Sequence, residues 1–310
     1  MIVVAIPAAL LSAVTLAAFF GRFFWILDVF ANFRPQYFVA LVVLGAVLMM
    51  GHWRRFGAAT LAAAAVNLVV VLPLFIGNPG EPDPSRPALT VMTFNLQGSA
   101  NEQYGEVIEF IQRQQPDLVL LHEAHRPWEL AIEPLGSDYR IIRPRSDDLI
   151  FGTLVLARGQ LLDWESHGFA SAEARAVELT FIPPGWDVPI SVLAAHPHSP
   201  TDSARADLRD RQLEFAAGWA EDREGPFIVA GDLNATPWSW AFRRLEGSGL
   251  RNSGLGFGIQ ATYPTEGNPL MRVPIDHVLH SPQLGVRSRE LGPALGSDHF
   301  PLVVELELRS

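Results

Sequence analysis

Apolar and polar positions divide this chain into two unlike parts. Residues 2–20, 37–53 and 56–76 form long, almost uncharged apolar runs. A bilayer core about 30 Å thick needs roughly 20 such residues per helix. Each run is apolar all round, which leaves no face for water and argues against a soluble helical bundle. The pattern therefore predicts three transmembrane helices within residues 1–77, a membrane anchor. Trp25, Tyr37 and Trp53 fall near the ends of the runs, where amphipathic rings favour the interface. A cleaved signal peptide would need a basic segment ahead of Ile2 and would leave the two later runs unexplained. Asn67, inside the third run, is placed to hydrogen-bond a neighbouring helix. A transport role would call for intramembrane charges that these runs lack.

Residues 78–88 change character abruptly. Asn78-Pro-Gly-Glu-Pro-Asp-Pro-Ser-Arg-Pro87 carries four prolines and a glycine, so it reads as a stiff linker. The remaining 89–310 is the length of one two-layer domain. Its periodicity predicts strands at 89–96, 117–122, 149–157, 175–182, 189–196, 226–231, 274–280 and 300–308. The last alternates Leu302, Val304, Leu306 and Leu308 with Glu305 and Glu307. Val107, Ile108 and Ile111 mark a helix over 102–114, stopped by Pro116. Leu208, Gln212, Phe215 and Trp219 share one face of a helix over 202–221, with Asp202 or Ser203 as N-cap. Strands outnumber helices, which suits two packed sheets with helices outside.

Charge changes the picture only once the chain is split. The net charge is −10 overall, but residues 1–88 carry +2, leaving about −12 on the domain. Such a domain has no general electrostatic affinity for a polyphosphate backbone. Every basic residue is Arg, and the chain has no cysteine, which excludes a thiolate metal site, disulfides and a Cys nucleophile.

In the domain, polar residues repeatedly follow an apolar run. The stretches are Thr-Val-Met-Thr-Phe-Asn95, Pro-Asp-Leu-Val-Leu-Leu-His-Glu123, Ser-Val-Leu-Ala-Ala-His196, Phe-Ile-Val-Ala-Gly-Asp232-Leu-Asn234, Pro-Ile-Asp276-His and Gly-Ser-Asp298-His299-Phe-Pro. Side chains at strand ends gather at one edge of a sandwich, where a site can be built on rigid supports. Glu123 offers a hard oxygen ligand, or is simply an exposed carboxylate past its strand. Asp232 can position or deprotonate water while Asn234 holds a phosphate oxygen, although Asp-x-Asn is also a common turn. Asp298 can complete a metal site, and His299 can bind phosphate or protonate a leaving oxygen, with Asp276 orienting it. His196 and His198 form a His-x-His pair, but Pro197 between them and the lack of a third nearby His speak against a zinc site. Arg175 is a weaker candidate for phosphate.

These six stretches, in this order and spacing, resemble the endonuclease/exonuclease/phosphatase superfamily over residues 89–308. The likeness includes the Leu-Gln-Glu motif, with His122 where Gln is common, the Gly-Asp-x-Asn motif, and the Ser-Asp-His motif. The layout is similar to bacterial membrane-anchored members. The resemblance implies a DNase I-like four-layer α/β sandwich after the three transmembrane helices, and a phosphoester hydrolase dependent on Mg²⁺ or Mn²⁺. Glu123 and Asp298 would hold the metal, with Asn95, His196, Asp232, Asn234, Asp276 and His299 catalytic and Arg175 and His198 near the phosphate. Tyr139 is the candidate for the family's mid-domain Tyr. The expected substrate is a small phosphodiester or phospholipid, with a nuclease or a non-catalytic membrane binding module as alternatives. Adjacent Arg54 and Arg55 favour a cytoplasmic 52–55 loop, and so a multi-pass cell-membrane protein with its catalytic domain extracytoplasmic, against the opposing signal of Arg22 and Arg34.

Overall fold

The computed structural model describes residues 2–309 except 78–82, 84, 145–151 and 171–173, so most of the expected linker and the start of the 149–157 strand lie outside the described residues. The apolar part folds as helices α1 (Ile2–Ala17, continued by a 3-10 turn to Phe20), α2 (Trp25–Ala31), α3 (Arg34–Met49), α4 (Arg54–Val71) and α5 (Pro73–Ile76). Ile2–Phe20 and Arg54–Val71 are each long and apolar enough to cross a bilayer. The middle span differs from expectation: α2 and α3 meet at a 67° bend and pass the same test only as a pair, giving two spans or three. Pro35 in the first turn of α3 suits a helix start and cannot continue the preceding helix.

Of the 27 large apolar side chains exposed among the described residues, 22 lie in residues 2–76, the surface expected of helices surrounded by lipid. Packing runs along the bundle in three layers. Ala5, Ala8 and Leu48 meet beside Phe56 at one end. Leu41, Ala63 and Ala64 fill the middle. Ala18, Ala31, Val71 and Leu74 close the other end around Trp238 of the domain. The helices also carry polar contacts that their apolar runs conceal. Arg34, fully buried, donates to the Asn67 Oδ1 at 3.2 Å and stacks on Phe19, while Asn67 donates to Thr15 at 2.9 Å. Asn67 thus does join helices.

Among the described residues the domain has twelve strands: β1 (Ala88–Asn95), β2 (Leu118–His122), β3 (Arg140–Ile142), β4 (Leu154–Ala157), β5 (Gln160–Gly168), β6 (Arg175–Ile182), β7 (Ile190–Ala194), β8 (Phe227–Asp232), β9 (Arg251–Asn252), β10 (Asp276–His280), β11 (Leu284–Leu291) and β12 (Leu302–Leu308). They form two six-stranded sheets, ordered β11-β12-β1-β2-β4-β3 and β5-β6-β7-β8-β10-β9. Helices α6 (Tyr104–Gln114), α7 (Arg126–Ala131), α8 (Ser203–Glu221) and α9 (Trp240–Gly247) complete it. Alternation along β1 shows why four layers result: Leu89 and Val91 face the core between the sheets, whereas Met92 and Phe94 face α6 and α7. Likewise Ile228 and Ala230 point to the inter-sheet core, and Phe227 and Val229 to α8 and α9.

Helix α8 begins as predicted, Asp202 accepting the Arg205 N–H at 2.9 Å. Its buried face differs. Leu208 and Phe215 are half-buried, whereas Arg209 is 1% exposed because it meets the Asp28 carboxylate of α2.

Two buried imidazoles give the fold a pH signature. His277 donates Nε2–H to the Ala235 carbonyl, and His280 donates Nδ1–H to the Ser281 carbonyl, both at 2.9 Å. Burial is the main reason that both sit down at about 4. The unfolded chain takes up these protons near 6.5, so stability is complete above that pH and is lost as pH falls toward 4. The loss is up to about 1.4 kcal/mol per pH unit for each ring. Thermal unfolding of detergent-solubilised protein at pH 7.5 and pH 5 should show the drop, and His280→Gln should shrink it. An equal drop in that variant would contradict the assignment.

Candidate active site

Strand register brings the polar ends together. In the parallel β1–β2 pair, Asn95 lies opposite His122, so Glu123 emerges beside it. In the antiparallel β8–β10 pair, Asp232 lies opposite Asp276. The two sheets place these ends face to face. Glu123 turns out of its strand with φ +54°. Gly231 adopts φ +147°, and a Cβ there would overlap the Ala195 carbonyl oxygen, so β7 and β8 approach closely only because this residue is Gly.

The resulting pocket, about 260 Å³, is lined by Asn95, Glu123, His196, Asp232, Asn234, Asp298 and His299, together with Ser199, Arg205 and Tyr263. Asn95 donates its Nδ2 to Glu123 Oε1 and to Asp232 Oδ2, both at 3.0 Å. Its Oδ1 accepts the Gln97 N–H at 2.9 Å, which fixes the amide's orientation. His196 Nε2 lies 3.6 Å from Glu123 Oε1 and from Asp232 Oδ2. His299 Nδ1 contacts Asp276 Oδ2 at 2.8 Å and turns Nε2 toward Asp232 Oδ2, 3.7 Å away. Ser297 ties this loop to β1 by donating to the Asn95 carbonyl at 2.7 Å.

The charges in this pocket are strongly coupled. Burial alone would lower His299, but the Asp276 and Asp232 carboxylates and the hydrogen bond His299 donates to Asp276 outweigh it and raise the imidazole to about 10. Asp276 stays below the usual carboxylate range: burial opposes this, and the His299 charge with bonds to His299 and Thr262 overcomes it. Asp232 lies above its ordinary value, chiefly through burial. Asp298 is raised by burial and by neighbouring Glu123, against the His299 charge. Asp232, Asp276 and His299 have ligand atoms within 4.8 Å of one another and could hold a metal ion. The 2.8 Å bond commits His299 Nδ1 to Asp276, which leaves Nε2 as the ring nitrogen facing Asp232.

Three expected residues lie elsewhere. Arg175 donates Nε and Nη2 to the hydroxyl and carbonyl of Ser166, each at 2.6 Å, so it braces β5 against β6 and does not line the pocket. His198 turns to α8, where its N–H and Nδ1 meet Gln212 Oε1 at 2.8 and 3.1 Å. Tyr139 is packed in the layer under α6, its hydroxyl donating to the Pro116 carbonyl at 2.8 Å. Asn234 lines the pocket, but its Nδ2 donates to the Pro197 carbonyl at 3.0 Å. Ser199, Arg205 and Tyr263 escaped the sequence reading. Arg205 sits in the first turn of α8, where the Asp202 cap was the available signal. Tyr263 packs against His299 with ring centres 4.9 Å apart and planes tilted by 46°, and follows no apolar run that would single it out.

A sequence model described as the Endonuclease/Exonuclease/phosphatase family matches residues 92–299. The chain belongs to this family. No curated protein matches it. Among solved structures, D. rerio TDP2 complexed with a single strand DNA product is similar at 15% identity and TM-score 0.61, covering 71% of this chain and 99% of that one. The endonuclease/exonuclease/phosphatase of Bacteroides vulgatus is similar at 18% identity and TM-score 0.60, covering 72% and 100%. The human Nocturnin catalytic domain, with a bound sulfate anion, is similar at 19% and 0.56, covering 75% and 100%. This endonuclease/exonuclease/phosphatase protein is a phosphoester hydrolase on a DNase I-like α/β sandwich.

Because His299 and Asp276 share one hydrogen bond, they should act as a unit. His299→Ala and Asp276→Asn are each expected to lower kcat by roughly 10²- to 10⁴-fold, the range for general acid–base groups. The double variant should be little worse than the poorer single. Multiplicative losses at saturating divalent ion would assign Asp276 a separate task.

Proposed function

We propose that this chain is a membrane-anchored, divalent-metal-dependent phosphodiesterase acting on small phosphodiesters or phospholipid headgroups. The observation that carries the reading is the convergence of the Glu123, Asp232 and Asp298 carboxylates with His196 and His299 in one pocket. Such an excess of hard anionic oxygen is the donor set that Mg²⁺ or Mn²⁺ takes. Glu123 and Asp298 would hold the ion, their mutual repulsion being the feature it relieves. When bound, the ion supplies Lewis-acid polarisation of the phosphoryl oxygen and stabilises the leaving oxygen.

The chain's own residues supply the rest. Asp232, 1% exposed and raised by burial, accepts a proton from an attacking water at Oδ2. Asp276 holds His299 protonated, so its Nε2 can donate to the phosphate or to the leaving oxygen. Asn95 keeps Glu123 and Asp232 at a fixed separation, and His196 and Arg205 line the same pocket as further donors to the phosphate. Asn234, with its Nδ2 committed to Pro197, shapes the loop.

A second feature supports a lipid substrate. A groove of about 600 Å³ lies between α3, at Gln36, Val39 and Ala40, and the segment bearing Ile259, Leu270 and Pro274. Leu270 and Met271 are 73% and 50% exposed next to these anchor helices. The same segment contributes Tyr263 and Ile275 to the active pocket, so the groove and the pocket share one stretch of chain. TDP2 with its DNA product keeps a nuclease in view. The charge of about −12 on residues 89–310 opposes binding of a long polyanion. The intact acid, base and ligand positions oppose a non-catalytic module.

Glu123→Gln is expected to abolish hydrolysis of bis-p-nitrophenyl phosphate, and EDTA to do the same to the native protein. At about 150 mM salt, phospholipid vesicles should be hydrolysed in preference to plasmid DNA, and Leu270→Asp should weaken vesicle hydrolysis while sparing the small diester. Plasmid nicking without lipid hydrolysis would overturn the substrate class, and full turnover of Glu123→Gln in EDTA the metal dependence.

We further propose a multi-pass cell-membrane location with the domain extracytoplasmic. Arg54 and Arg55 stand at the bundle end remote from the domain, where Phe56 joins Ala5 and Leu48. The competing arginines are occupied within the protein: Arg22 stacks 5.4 Å from the Trp240 ring centre, and Arg34 is buried against Asn67. A positive loop remains cytoplasmic. Alkaline phosphatase fused at residue 310 should therefore be active and green fluorescent protein dark, and the converse would invert the topology.

A further inference from the structure

The anchor reaches into the site. Asp28 and Asn32, four residues apart and so on one face of α2 and its C-terminal cap, both meet the segment that follows Asp232. Asp28 Oδ2 accepts from Arg209 Nη2 at 2.9 Å, and Asp28 Oδ1 accepts the Trp240 N–H at 2.5 Å. Asn32 Oδ1 accepts from the Thr236 hydroxyl at 2.9 Å. Arg209 Nη1 donates to the Asn234 carbonyl at 3.4 Å. Asn234 N–H in turn donates to Asp232 Oδ1 at 3.0 Å.

Asp28 and Arg209 are each 1% exposed. Charges buried this deeply persist only where partners hold them, and the geometry of such a pair is correspondingly tight. Arg209 also meets Asp210 Oδ1 at 2.8 Å, but that carboxylate is 44% exposed, so the buried partner that fixes the guanidinium from the anchor side is Asp28. Asn234 has φ +48°, a left-handed backbone that must be held by its surroundings.

We propose that Asp28 is a positioning residue of the active site: through Arg209 it fixes the backbone at Asn234, and with it the orientation of the Asp232 carboxylate. The inference rests on the reading of this pocket as the hydrolytic site. The anchor then completes the site as well as tethering it. Arg205, which lines the pocket, makes none of these bonds, so the effect falls on turnover more than on substrate binding.

The test uses the full chain in detergent micelles. Asp28→Asn should lower kcat for bis-p-nitrophenyl phosphate by about tenfold or more, since small misplacements of catalytic groups carry large losses, with KM nearly unchanged. Asp28→Glu should recover part of it. Asn32→Ala, which removes only the bond to Thr236, keeps the proposal testable if Asp28→Asn does not fold, and should lower kcat by a smaller factor at unchanged KM. Hydrogen–deuterium exchange of residues 233–240 provides a second readout and should quicken in either variant. A lowered unfolding temperature with native kcat and native exchange would show a purely structural bridge and overturn the proposal. If the native protein hydrolyses no diester, the hydrolytic reading fails by itself. Exchange then decides the coupling: quickening in the variants upholds it, and unchanged exchange overturns it.

Discussion

Everything at this site depends on carboxylates kept out of water. Asp232 and Asp276 are 1% and 0% exposed at facing strand ends, and neither could be ionised there without close donors or positive charge. Asn95 answers part of that demand. Its one amide nitrogen serves Glu123 from its own sheet and Asp232 from the other, so it ties the sheets together at the point where the chemistry would occur. His299 answers the rest, clamped to Asp276 and facing Asp232. The sandwich and its pocket are therefore mutually dependent: the inter-sheet core brings the strand ends close, and the polar contacts at their tips set how close.

Much of the domain was legible because its strands are buried and their apolar runs end cleanly in polar residues. The predicted 175–182 matches β6, and 226–231 and 202–221 match β8 and α8 to within a residue at each end. Strands that are exposed or short gave no such signal. β5, Gln160–Gly168, is largely exposed, and β9 has only two residues. For the site, residues within a few positions of a buried strand were found, whereas Ser199, Arg205 and Tyr263, set apart from such runs, were not. Arg175 failed for a related reason: it opens a strand, but at the end where Ser166 absorbs its guanidinium.

The N-terminal helices were the part least open to sequence reasoning. Apolar runs reveal length but not the bend between α2 and α3, which follows from Pro35 and from the contact of α2 with the domain. Nor do they reveal that Asp28, a single acid in a short helix, meets Arg209, 181 residues further along the chain. Buried pairs of this kind have no periodic signature. Gly231 shows the opposite case, a residue whose type is dictated by one steric fact, the nearness of the Ala195 carbonyl.

The order of strands in the first sheet carries a further consequence for synthesis. β1 is hydrogen-bonded on one side to β2 and on the other to β12, from Ala88 against Glu307 to Thr93 against Leu302. The earliest strand of the domain thus waits for the latest, and Asp298 and His299 immediately precede that closing strand. Non-local pairings of this span form late, after the loop-closure entropy of the whole domain has been met. The nascent chain consequently carries its helices and most of its strands while the pocket is still lacking an acid and an imidazole. The pocket is thus assembled only once the stretch from Asp298 through β12 has joined β1.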